Sequence, residues 1–385
     1  LNNPTRIALY DKTMSGRIPW PDTEDGRYAQ AFLEPMLTES TQHFIDNART
    51  DLYILRVDDL VLPLTVNETE YDNTYVCSPY THYYSYAEEE LYLIDQTWLR
   101  NTFSTLLKGL SWVYKRSQIN RVVHVNNWLV STNLYPAISE EQLELILALL
   151  RERFPNHAYI FRSLHRRKHA VLLKSFAEQG AKSVGSRQIY VMDPAGDSLR
   201  AKARKQLRRD LRLAEQQGYQ WIDASQLESK DIPRIAYLYR ELYIQKYSPC
   251  NPQFNERFIQ LALEKKLLHF HVLRKDGRID GVLGYFSRNG QMTTPLLGYD
   301  LNQPLTTGLY RMLVAQLFVF AREQGLFLNR SSGAAAFKRY RGAQAEIEYS
   351  CVVDRHLPWR RRVIWTVLEK VIRKVGIPLL QKYKL

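Results

Sequence analysis

The chain reads as one structural unit written twice. The segment VVHVNNWLVSTNLYP (122–136), an apolar-periodic stretch over 140–153 and AYIFRSL (158–164) parallel QMTTPLLGYDLNQP (291–304), a second periodic stretch over 308–324 and LFLNRSS (326–332). The likeness continues. Leu173-Lys174-Ser175-Phe176 and Gly180-Ala181 match Phe337-Lys338-Arg339-Tyr340 and Gly342-Ala343, and each copy then enters a strand that ends at Asp193 or Asp354. Two runs of strand, helix, strand, helix, strand imply two similar mixed α/β (α+β) domains, each a central mixed sheet flanked by helices. At 385 residues the chain exceeds what one core fills, which agrees. The expected division is 1–195, 196–358 and a basic amphipathic helix over 359–385.

Local signals place the elements. Leu52 to Val66 alternates around Asp58-Asp59 and predicts a hairpin. A helix is expected from Ala29 to Asn47, another from Leu99 to Lys115 through Phe103, Leu106, Leu107 and Leu110, and a strand from Arg121 to Thr132. Ser139-Glu140-Glu141-Gln142 is a capping box, and Phe154-Pro155 ends the helix it opens. Residues 199–217 form a strongly basic helix closed by Gly218, with seven Lys or Arg against Asp210 alone over 200–213. Helices follow at 231–247 and 255–267. Residues 269–300 read as three strands joined at Asp276-Gly277 and Asn289-Gly290, the second an Asn-Gly hairpin signal. Thr306 or Thr307 is the expected cap of the helix over 308–324. The tyrosine-rich run YVCSPYTHYYSYAEEE (75–90), with His82, has two readings: an aromatic loop over the sheet, or the wall of a substrate pocket.

The formal charge of +13 points to acidic partners: nucleic acid, a membrane surface, a phosphorylated cofactor or an acidic carrier protein. Three scattered cysteines, Cys77, Cys250 and Cys351, argue for a reducing compartment and against zinc. His165 and His169 have i, i+4 spacing but enclose Arg166-Arg167-Lys168, which repels a metal ion. No Gly-x-Ser-x-Gly elbow supports a serine hydrolase. Without a spanning apolar window or a signal pattern, a cytoplasmic protein is expected, and a leader trimmed ahead of Leu1 is compatible with this. The segment from Trp359 sets Ile364, Val367, Leu368, Val371 and Val375 among cations. It suits an anionic membrane, an acidic carrier protein or a cap on the fold. No aromatic-spaced basic motif points to DNA.

Three features in sequence order resemble the GCN5-related N-acetyltransferase (GNAT) fold in the tandem form of the FemAB-like peptidoglycan aminoacyltransferases. They are the basic helix 200–213, the hairpin HVLRKDGRIDGVLGYF (271–286) and AAAFKRYRGA (334–343), which is similar to that branch's (Y/F)K-x-x-(R/F)-G signature. The likeness is best over 196–357. It implies an acyltransferase whose fourth and fifth strands splay to admit a thioester arm, with donor phosphates held by amides at the start of the next helix. Here that turn is Leu305 to Arg311. With one glycine, it differs from the Gly-rich loop of acetyl-coenzyme A users, so no tightly bound cofactor is expected. The donor is then acyl-coenzyme A or a phosphopantetheine thioester on acyl carrier protein, and the acceptor a small-molecule amine in specialised-metabolite or lipid biosynthesis. Aminoacyl-tRNA as donor and a non-catalytic binding protein are the alternatives.

Amide formation from a thioester needs a neutral amine, a polarised carbonyl and a proton for the leaving thiolate. Asp300 is placed to accept the amine proton, or else simply to cap a turn ahead of Asn302. Tyr299 or Ser331 would donate to sulfur. Glu348, which alternates with Glu346, and His356 are further candidate bases, although a His at a strand end is also commonly structural. Thr307, Gly308, Leu309, Ser332, Lys338 and Arg341 are the expected donor contacts. Lys338 and Arg341 share a helix face and suit a phosphate or carboxylate, or else are solvated helix charges.

Overall fold

The computed structural model describes residues 6–89, 96–194 and 199–383. Twelve strands among them form one mixed sheet: β1 (Ile7–Tyr10), β2 (Asp51–Val57), β3 (Leu60–Asn67), β4 (Val122–Val125), β5 (Ala158–Leu164), β6 (Lys182–Met192), β7 (Gln220–Asp223), β8 (His269–Lys275), β9 (Arg278–Arg288), β10 (Gln291–Tyr299), β11 (Phe327–Asn329) and β12 (Gln344–Val353). Their order is β1-β2-β3-β4-β5-β12-β6-β11-β10-β9-β8-β7.

That order contains an exchange. β6 ends the first copy of the repeat but pairs with β11 of the second. β12 ends the second copy but pairs with β5 of the first. The two exchanged strands then pair with each other from Gln344↔Val191 to Val352↔Lys182. Each half therefore closes its sheet with a strand from the other, and two expected sheets become one. The expected boundary between 195 and 196 falls within 195–198, outside the described residues.

The helices are α1 (Glu24–Glu39), α2 (Tyr86–Glu89), α3 (Thr97–Arg116), α4 (Glu140–Arg153), α5 (Arg166–Glu178), α6 (Ala201–Gln216), α7 (Ile232–Tyr239), α8 (Glu256–Glu264), α9 (Leu309–Glu323), α10 (Ala335–Tyr340), α11 (Trp359–Val371) and α12 (Ile377–Tyr383). The side chains of Phe103, Leu106 and Leu107 on α3 lie outside the described residues. α1 starts earlier than the periodicity suggests because Thr23 accepts from the Gly26 amide, and it ends at Glu39, well short of Asn47. The strand expected over 121–132 stops at Val125, where Asn126 turns to φ 57° and Leu129 to φ 59°.

Apolar periodicity explains the layers. α1, α7 and α8 share one core through Phe32, Trp128, Phe258 and Phe286. α4 and α5 bury Leu147, Phe176 and Phe161 together, and α9 packs Leu313, Leu317 and Phe318 with Met292 and Leu328. Gly298 lets α7 approach β10, since a Cβ there would sit 2.5 Å from the Leu238 carbonyl carbon. In α11, Ile364, Trp365 and Leu368 pack against Val184 and Val352. Val363, Val367, Val371 and Val375 remain more than two-fifths exposed with Trp359, a row at i, i+4 spacing. The expected single stripe is thus split: Ile364 and Leu368 cap the sheet, while Val367, Val371 and Val375 face water.

Candidate acyl-transfer site

Parallel strands part at the same place in both halves. β4 and β5 pair from Val122↔Ala158 to Val125↔Phe161 and then diverge. β10 and β11 pair over Gln291↔Phe327, Met292↔Leu328 and Thr293↔Asn329. Beyond Thr293, β10 runs on to Tyr299 with no strand on that side among the described residues. Its pairing with β9 shifts between Thr293 and Leu296, at Thr294-Pro295. Proline has no amide proton to give, and the Thr294 hydroxyl is buried with no hydrogen-bond partner among the described residues.

The first opening is filled by the chain itself. The Asn127 side-chain amide donates to Thr65 Oγ1 and the Val76 carbonyl, and Trp128 Nε1 donates to Asn126 Oδ1. The Asn133 amide donates to Ser163 Oγ at 3.0 Å, stitching this loop to the end of β5. The helix beyond it is closed too, because Ser139 and Gln142 form the expected capping box.

The second opening is lined by rings. Tyr299 and Tyr310 lie 6.0 Å apart, and Tyr310 lies 4.9 Å from Phe337. Burial raises the pKa of both phenols, so they stay protonated as donors. No side chain caps α9: its N-cap is Gly308, at φ 78°, rather than Thr306 or Thr307. A Cβ on Gly308 would sit 3.0 Å from Leu213 Cδ1, so α6 covers this turn together with Thr307 and the buried Leu309. Asp210, wholly buried on α6, holds Arg311 Nη2 of α9 and Arg341 Nε beyond α10, each at 2.7 Å. All seven cations from Arg200 to Arg212 are exposed around it.

The structure gives the remaining sequence-derived candidates distinct surroundings. Asp300 is buried, ion-paired with Arg278 and with Arg234 at 2.8 Å, and accepts from the Asn302 amide. Burial raises its pKa, but the Asn302 amide and the two arginines more than reverse this and lower it. A carboxylate so held is a weak proton acceptor. Ser331 sits at φ 56°, its carbonyl accepting from the Tyr190 amide. Lys338 is buried and directs its ammonium to the carbonyls of Arg330, Ser331 and Ser332 at 2.6, 3.3 and 2.7 Å. It clamps a turn in which Ser331, Gly333 and Ala334 all have positive φ. Burial, with Arg330 nearby, pushes its pKa well below the ordinary lysine range. Glu348 is buried midway along the exchanged pair, bonded to Arg187 Nε at 2.9 Å. His356 stacks on Tyr159 at 4.5 Å, at the opposite end of β12 from Gln344. Its Nε2 lies 2.8 Å from the His157 carbonyl, and burial lowers its pKa.

The structure thus links Tyr299, through Tyr310 and Phe337, to the helix that carries Lys338, and leaves His356 elsewhere. Sequence reasoning missed Thr294, Tyr310 and Arg330. The Arg-Ser pair near the end of both strands, Arg162-Ser163 within β5 and Arg330-Ser331 just past β11, was the available signal. His82, in the tyrosine-rich run, lines a narrow cavity with Tyr75, His124 and Arg162 in the first half.

A family model for an acetyltransferase (GNAT) domain matches residues 201–339, about a third of the chain. Those residues form a GNAT acyltransferase domain. The match spans α6 through most of α10 and so includes the second opening. No curated protein matches the sequence. Among solved structures, a tandem GNAT protein from the clavulanic acid biosynthesis pathway is 9% identical, covers 90% of this chain and 98% of its own, and gives a TM-score of 0.37. FemX is 9% identical, with 64% and 83% covered and a TM-score of 0.46. L-PGS from Bacillus licheniformis is 17% identical, with 60% and 78% covered and a TM-score of 0.44. These resemblances are distant and carry no information about substrate. Among the described residues no helix is long and apolar enough to cross a membrane.

Proposed function

We propose that the GNAT domain transfers an acyl group from a thioester, on coenzyme A or an acyl carrier protein, to the amine of a small molecule. The observation that carries this reading is the second opening: a half-paired strand with a buried hydroxyl at Thr294 that has no partner among the described residues, beside two protonated phenols. An extended thioester arm lying along β10 would find backbone groups from Leu296 to Tyr299. The amine attacks the carbonyl carbon, the carbon–sulfur bond breaks, Tyr310 or Tyr299 supplies the proton that the leaving thiolate takes, and the proton lost by the attacking nitrogen returns to that phenolate. The amine enters neutral, and Asp300, already ion-paired, holds Arg234 and Arg278 rather than taking its proton. α6 lies over the turn that would hold a coenzyme A pyrophosphate, and its exposed cations suit the acidic surface of a carrier protein. The same cations favour a second reading, in which aminoacyl-tRNA is the donor. The valine row of α11, beside Arg362 and Lys370, fits an anionic membrane surface.

The test is a donor panel of acyl-coenzyme A, acyl carrier protein and aminoacyl-tRNA, following release of thiol or of free tRNA with mixed amines. Thiol release that depends on amine supports the proposal. Release from tRNA alone selects the second reading, and no release from any donor leaves a binding protein.

A further inference from the structure

Arg330 has no role in the transfer chemistry, yet it is the least satisfied cation near it. It is 8% exposed and, among the described residues, its Nη1 meets only Met192 Sδ at 3.7 Å and its buried Nη2 has no hydrogen-bond partner. Arg162, near the end of β5 and before an equally left-handed serine, is as deeply buried but well served. Its Nη1 donates to Asn127 Oδ1 at 3.1 Å and to the Val76 carbonyl at 3.3 Å, and its Nη2 to the Ser131 carbonyl. All these acceptors lie in or beside the loop that fills the first opening.

Among the described residues the charge around Arg330 is also unbalanced. Asp210 is the carboxylate at hand, and both its oxygens are taken by Arg311 and Arg341. Lys338 adds a fourth cationic group nearby. Burial, with Arg341 adding, lowers the pKa of Arg330 to about 10, and Tyr310 opposes this. Arg330 lines a small cavity between α6 and α9, walled by Leu207, Val314, Ala315 and Phe318. A desolvated guanidinium with free donors is costly unless an oxyanion meets its planar fork.

We infer that this cavity binds a single oxyanion group, a phosphate ester or a carboxylate, with Arg330 as its direct ligand. The site lies along the middle of α9, one to three turns from the covered turn at Gly308. Two sources share this chemistry: the phosphate of a phosphopantetheine arm, which rests on the reading proposed above, and a free anionic effector, which does not.

The experiment is thermal unfolding of the full chain with inorganic phosphate, acetate, phosphopantetheine or pantetheine, at ionic strength held constant with chloride. Phosphate or acetate should raise Tm by several degrees. Arg330→Met should raise Tm without added anion, by removing an unpaired buried charge, and should abolish the anion shift. Ala315→Met, which narrows the cavity and keeps Arg330, should also lose the shift and serves if Arg330→Met does not fold. Phosphopantetheine binding at least about tenfold tighter than phosphate identifies the donor as the source, and equal affinity identifies a separate anion. The inference is overturned if no anion shifts the wild type, if Arg330→Met keeps the shift, or if Arg330→Met lowers Tm as loss of a structural arginine would. No acyl transfer is measured, so failure here leaves the acyl-transfer reading standing.

Discussion

The two strand openings differ in what fills them. Between β4 and β5 the protein supplies its own occupant, a loop from Asn126 to Asn133 in which the Asn127 side chain and the Ser131 carbonyl accept from Arg162 and the Asn133 backbone amide donates to Ser163 near the end of β5. In the second half the Thr294 hydroxyl of β10 and, between α6 and α9, Arg330 Nη2 have no partner among the described residues. The helix after the first opening is capped by its own side chains, while the helix after the second is not. Asn133 Nδ2 in the filling loop is itself unpartnered among the described residues, so what separates the two copies is the occupant of the opening and the buried arginine that it satisfies, and that difference favours the second as the half that holds a ligand.

The comparison breaks most visibly if the second opening is plugged. Thr294→Phe should lower kcat/KM by about 100-fold or more, because a misplaced donor arm forfeits positioning, while the melting temperature stays close to wild type. Steady-state thiol release with the donor that turns over measures it. Unchanged turnover would remove this opening from the mechanism.

The converse substitution acts on stability rather than rate. Asn127→Leu withdraws an acceptor from the buried Arg162 and two donated bonds from the filling loop, and should cost about 2–3 kcal/mol in urea unfolding. Donor affinity should be unaffected. Weaker donor binding in this variant would mean that the first opening is also occupied.

The halves also part in their response to acid. His165 and His169, buried at the end of β5 and the start of α5, are held neutral: burial lowers their pKa values to about 4 and about 3. The unfolded chain binds these protons near pH 6.5, so it holds more protons than the folded chain below that pH, and stability falls as pH drops. Between pH 6.5 and 4 the loss should be on the order of 2 kcal/mol per histidine, read from urea midpoints at pH 7.5 and 5. His169→Phe should flatten that slope; an unaltered slope would place the acid sensitivity elsewhere.

The smallest effect concerns the valine row of α11. Val367→Glu with Val371→Glu should weaken sedimentation with phosphatidylglycerol vesicles about tenfold, and should leave turnover in solution unchanged. Equal binding by the variant would mean that cations alone make any such contact.

Much of this architecture was legible before any coordinates. The repeat, the hairpin at Asn289-Gly290, the basic helix and the Ser139 capping box are local patterns, and local geometry carried them into the fold. The exchange of β6 and β12 was not legible, because periodicity shows that a stretch is a strand without naming its neighbour. Asp210 stood out only as the odd acid in a basic helix, and nothing local shows that it joins α6 to Arg311 and Arg341. Lys338 illustrates the same limit. Its motif was visible, but three backbone carbonyls within reach of its ammonium are a tertiary fact. Arg162 and Arg330 share a dipeptide context, and what separates them is the presence or absence of a filling loop.

Hydrogen exchange of the full chain with a non-hydrolysable acyl-phosphopantetheine thioether tests the central claim most directly. The account predicts slowed exchange at the amides of 296–299, with those of 122–135 unchanged. Slowed exchange confined to 122–135, or none in either segment, would contradict it.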